Sequence, residues 1–280
     1  LIMGEVFFLI LIGLIWIAFA SIQDLRNREV SNWISFSLIV FALGFRFFFS
    51  LFNGQWAFFI QGVIGLGIFL LVGNFLYYGK MFAGGDAKLM IAMGPLLGFS
   101  NVFLVNMKIY FTFIIFFLFS GAVYGFLSMV FFSLRNFKAF RKDYGKRLKK
   151  GKKFVRTIAS IGLVLMIIGF FEPVFFGVGV LLFVFPYFYI YARSVDNVCM
   201  VKKIKVGLLT EGDWLYQRIK IGKKFLEPNW QGLSKIEISL IKKHYKEIKI
   251  KQGIPFIPVF LIAFLILIYL WKTGLWNAFW

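Results

Sequence analysis

Eight apolar runs, separated by polar segments, constrain this chain more than any other feature of it. They occupy residues 6–20, 34–52, 56–78, 86–105, 109–134, 157–171, 174–191 and 254–271. Lipid offers a backbone amide no hydrogen-bonding partner, so a run that crosses a bilayer must be a helix of about 20 residues. The runs at 34–52, 56–78, 86–105 and 109–134 come to about that length. Those at 157–171 and 174–191 are short to marginal, and they flank Glu172-Pro173. Basic residues before the first and after the second favour an out-and-back hairpin over one broken crossing. The 280 residues are 60% hydrophobic with a mean hydropathy of +0.83, whereas a soluble domain is about 45–50% apolar. The expected fold is an all-α polytopic membrane protein of six to eight transmembrane helices, best counted as eight, with a small cytoplasmic α+β lobe.

Charge sets the expected orientation. The formal charge of +20 is interleaved with the apolar runs instead of forming a basic domain, as cytoplasmic loops look under the positive-inside rule. That pattern argues against nucleic acid as a partner. Arg26 and Arg28 follow the first run, while Glu5 precedes it with no Lys or Arg. The first run therefore reads as a retained span with its amino end outside, not as a cleaved signal peptide. Arg46 in the second run is expected to snorkel towards the outer interface.

The expected divisions are a five-span membrane core at 1–134, a basic cytoplasmic loop at 135–156, an apolar hairpin at 157–192, an α+β lobe at 193–253 and a last span at 254–280. The basic loop is suited to anionic lipid, at about 1 kcal/mol per basic group near the surface. In the lobe, 200–207 suggests one arm of a strand pair turning near 208–212. Ser234 with Glu237 resembles a capping box that opens a helix to about residue 247. Gly94-Pro95 suggests a kink in the fourth span.

The chemistry available is narrow. Cys199 and His244 are the lone cysteine and histidine, which excludes an internal disulfide, an ordinary structural zinc site and a triad with both partners near one site. No metal or cofactor is expected. Two acids stand out instead. Asp24 closes the first run, and Asp86 follows a small glycine-rich break, Ala83-Gly84-Gly85, at the start of the fourth. If the runs span a membrane, these acids lie at one depth on one side. Acids near a bilayer are functional suspects. Two carboxylates about 3 Å apart do not both ionise easily and share a proton. One can then deprotonate a water while the other polarises an amide carbonyl. The small side chains of Ala83, Gly84 and Gly85 let an extended substrate backbone approach, and the glycines permit unusual conformations. An ion-coupled transporter using the same two acids as proton sites is the alternative, although carriers place such acids near the midplane within internal repeats.

Asp24-Leu25-Arg26-Asn27-Arg28-Glu29-Val30-Ser31-Asn32-Trp33, taken with Gly84-Gly85-Asp86-Ala87-Lys88-Leu89, resembles the GxGD membrane aspartyl proteases that process type IV prepilins and preflagellins, the archaeal branch above all. The resemblance implies that Asp24 and Asp86 are the catalytic pair, and that Gly85 and Lys88 match the motif's second glycine and its lysine. Ala83 replaces the first glycine, a departure that matters only if that backbone needs a positive φ. The resemblance implies a substrate with a basic leader joined to an apolar helix. A basic leader is repelled by a chain of this charge unless guided locally, and Glu29, Glu211 and Asp213 are the candidate guides.

Overall fold

The computed structural model describes residues 4–222, 224–276 and 280. It divides into two compact units, one of residues 1–125 with 254–280 and the other of residues 126–253.

The first unit is a helical bundle. α1 (Gly4–Asn27), α2 (Asn32–Asn53), α3 (Trp56–Tyr78), α4 (Gly84–Leu96), the amino-terminal part of α5 (Phe103–Arg135) and α10 (Pro258–Thr273) surround one apolar core. Leu9, Ile17, Leu38, Phe69, Leu89, Phe113, Phe260 and Phe264 lie fully buried in it. Phenylalanines and leucines on the outer faces are exposed, as a lipid-facing surface requires.

α4 departs from the expected span. It stops at Leu96, one residue past Pro95, so the predicted kink is a terminus. A proline removes a helix hydrogen bond and clashes with the preceding turn. Thirteen residues rise only about 20 Å, short of the roughly 30 Å hydrocarbon core. Residues 97–102 then run irregularly to α5. Their polar backbone is satisfied by side chains. The Asn106 amide donates to the Ser100 carbonyl (2.7 Å) and to Gln61 Oε1 (3.0 Å), and its oxygen accepts from the Ser100 N–H (2.9 Å).

Arg46 completes that work, and it does not snorkel. It is 0% exposed and donates from Nε to the Pro95 carbonyl (2.7 Å), from Nη1 to Phe58 (2.8 Å) and from Nη2 to Gly98. A guanidinium carries five donors in a fixed fork, and a broken helix inside an apolar bundle leaves carbonyls that need donors. Gly62 leaves the room: a Cβ there would collide with the Arg46 side chain.

The second unit contains the rest of α5, α6 (Phe137–Lys150), α7 (Lys152–Ile168), α8 (Pro173–Ser194) and the lobe. Most of the expected basic loop is thus helical, in α6 and the start of α7. α7 and α8 form the hairpin, turning at 169–172, with Gly162 packed against Gly179 and the backbone of Phe183. Among the described residues, five helices (α1, α2, α3, α5 and α8) are long and apolar enough to cross a membrane, and α10 is a shorter apolar helix. The protein is a polytopic helical membrane protein.

In the lobe, β1 (Val201–Lys205) does not turn back near 208–212 as expected. It pairs antiparallel with β5 (Glu247–Lys251), which also pairs with the short β2 (Trp214–Leu215), giving the order β1-β5-β2. β3 (Ile219–Ile221) and β4 (Lys224–Leu226) form a separate antiparallel pair. Ile248 and Ile250 of the central strand point into a core with Val206, Leu215, Ile238 and Ile241. α9 (Lys235–His244) begins with the expected capping box, the Glu237 carboxylate accepting from the Ser234 N–H (2.8 Å). It ends before 247 because Glu247 opens β5.

Candidate active site

Asp24 lies in the last turn of α1, 6% exposed. Its Oδ2 accepts from the N–H of Ile257 at 2.9 Å. That amide immediately precedes α10, whose first residue is Pro258. The first N–H groups of a helix lack internal partners, and Asp24 supplies one from 233 residues away.

Asp86 is the third residue of α4. It is half-buried, and its Oδ2 accepts from the Ala83 N–H at 3.3 Å. Both acids thus sit at helix amino termini, Asp86 at its own and Asp24 at that of α10, where the backbone dipoles favour negative charge.

The supports of the two acids also touch. Phe82, just before the glycine-rich break, packs against Phe117, Phe256 and Phe260, with ring centroids 5.7, 6.1 and 6.4 Å away. Phe256 adjoins Ile257, whose amide donates to Asp24.

The motif residues take plainer roles than expected. Ala83 has φ −73° and ψ 163°, ordinary extended backbone, so alanine fits where the motif has glycine. Gly84 and Gly85 are not among the positive-φ glycines of the described residues; they keep the start of α4 bare. A Cβ on Gly85 would meet Val30 at 3.8 Å. Lys88 donates from Nζ to Asn32 Oδ1 at 2.7 Å.

Of the candidate guides, Glu29 is exposed in the connection that follows α1, at the Asp24 end of the helix. Glu211 and Asp213 belong to the second unit and have local partners. Asp213 Oδ2 accepts from the Thr210 N–H at 2.9 Å, and Glu211 lies 3.7 Å from Lys235 Nζ. Among the described residues no three His, Cys, Asp or Glu side chains form a metal-binding group.

Residues to which the sequence by itself assigned no role at the site are Gln23, Val30, Ser31, Asn32, Phe82, Phe256 and Ile257. The proline-bracketed Pro255-Phe256-Ile257-Pro258 was the one available signal for the last two.

Residues 11–133 match the type IV leader peptidase family. Among curated proteins the chain is similar to preflagellin peptidases of three methanogens. It is 29% identical to that of Methanocaldococcus jannaschii over 87 residues, 31% of this chain and 37% of the relative. It is 30% identical to that of Methanococcus maripaludis over 86 residues, with the same shares. It is 31% identical to that of Methanococcus voltae over 86 residues, 31% of this chain and 36% of the relative. The chain spans a little over a third of the length of these relatives. No solved structure matches. Both acids and the break between α3 and α4 fall within the segment that is similar to the type IV leader peptidase family.

Proposed function

We propose that this protein is a membrane aspartyl endopeptidase that removes the basic leader of preflagellin or type IV prepilin-like substrates at the cytoplasmic membrane face. The observation that carries it is the packing of Phe82, just before α4, on Phe256, beside the Ile257 amide that Asp24 accepts from, which supports Asp24 and Asp86 sharing one end of the apolar bundle. A pair sharing one proton activates water without a nucleophilic side chain. The ionised carboxylate takes a proton from water as its oxygen attacks the scissile carbonyl, the protonated one donates to the carbonyl oxygen, and the proton gained passes to the leaving nitrogen. The bare start of α4, at Gly84 and Gly85, supports close approach of an extended substrate backbone.

Two partners follow from charge. The outer face of α6 carries Lys138, Arg141, Lys142, Lys146, Lys149 and Lys150, all exposed, while Phe140 on the opposite side is buried against Tyr144 and Tyr191. That face suits anionic lipid headgroups. Glu29, Glu211 and Asp213 suit a basic leader. Reversing Glu211 and Asp213 to lysine slows leader cleavage several-fold in low salt, an effect that fades as the Debye length shrinks below about 8 Å. Unchanged kinetics at low salt removes the guiding role.

The deciding experiment replaces each acid by asparagine and follows cleavage of a leader-bearing peptide by the full chain in vesicles. Both variants lose cleavage and retain their fold. Persistent cleavage by either one rejects the dyad. Proton-coupled flux that is shifted but not lost would favour the transporter instead.

A further inference from the structure

Lys88 is a motif residue that the chemistry above leaves without a task, and its contacts supply one. Its ammonium donates to Asn32 Oδ1 at 2.7 Å. Asn32 is the first residue of α2, and Ser31 before it is the amino-terminal cap. A cap serine ordinarily accepts from an amide of the first turn. Ser31 makes no such bond. Its hydroxyl accepts from Gln23 Nε2 at 2.7 Å, and its N–H donates to Gln23 Oε1 at 3.0 Å. α2 forgoes its cap so that the connection after α1 can be held to the residue adjoining Asp24. Val30, just before the two fastened residues, lies against Gly85. Arg28 lets the connection turn this tightly: its φ is +57°, the left-handed region that a side chain rarely adopts.

We propose that Gln23, Ser31, Asn32 and Lys88 form a strap that sets the separation of the two carboxylates. One end fastens beside Asp24, the other two residues beyond Asp86. Lys88 is therefore a positioning residue. This rests on the protease reading for its consequence in rate, but the strap itself is a statement about distance.

The test uses the full chain with Cys199→Ser and spin labels at Ile22→Cys on α1 and Met81→Cys before α4, positions 51% and 64% exposed. Lys88→Met and Asn32→Ala broaden the distance distribution between the labels, whereas Lys88→Arg and Asn32→Asp, which keep donor and acceptor, leave it narrow. On the unlabelled chain, Lys88→Met or Asn32→Ala lowers kcat for leader cleavage by about ten- to a hundredfold at unchanged KM, the scale of an ångström-sized misplacement. The double variant is no worse than either single one, because both cut the same link. Unaltered distances in Lys88→Met and Asn32→Ala overturn the strap. So does a slow Lys88→Met beside a fully active Asn32→Ala, which would mean that Lys88 acts through its charge. If the aspartate variants still cleave, the protease reading fails while the label distances still decide the strap.

Discussion

The two ends of α4 hold the two polar centres of an otherwise apolar bundle, and they are finished in opposite ways. At the carboxyl end Arg46 is fully buried, and its guanidinium meets three backbone carbonyls. At the amino end Asp86 is half-buried with one long amide contact, and Asp24 is held by the backbone before α10. A buried charge with its partners in place is structural. A pair of acids, one half-buried and one buried, each held by a backbone donor, keeps oxygen lone pairs for water. The dipole of α4 suits Asp86 at its start and the Arg46 cation at its end.

The contrast breaks if the acids prove structural or the arginine dispensable. The largest effect is expected from Asp24→Asn or Asp86→Asn. General acid–base catalysis contributes about 10²–10⁴-fold, so leader cleavage falls at least that far, while thermal unfolding in detergent moves little. Asparagine keeps an acceptor for the Ile257 amide. Arg46→Met should do the reverse. Carbonyls left without donors in an apolar interior cost about 1–3 kcal/mol each, so the melting temperature falls sharply, and activity falls only with the folded fraction. A marked loss of stability in Asp24→Asn, or none in Arg46→Met, would erase the distinction. The smallest effect belongs to Ala83→Gly, which restores the motif glycine. With φ at −73° the site has no use for glycine's freedom, and cleavage rates should stay within about twofold, any loss tracking the roughly 1 kcal/mol by which glycine weakens ordered backbone.

Legibility followed the range of the interaction. Asp24 and Asp86 were visible because an acid at the edge of an apolar run is a local anomaly. The capping box at Ser234 and Glu237 was visible for the same reason, since a helix start is written within four residues. Arg46 misled. An arginine seven residues from the end of a run reads as snorkelling unless it is known that α4, about 50 residues later, stops early. β1 misled too, because a strand's partner is chosen by the burial of Ile248 and Ile250 and not by the nearest turn.

By itself, then, the sequence determined the apolar helices, the acids at their ends and the membrane class, because hydropathy and charge act on each segment where it stands. Only the tertiary structure decided that Asp24 rests on the amide of Ile257, that Lys88 reaches Asn32, and that Arg46 closes a broken helix. Backbone amides and carbonyls are the same at every position, so which of them a side chain meets is settled by packing alone.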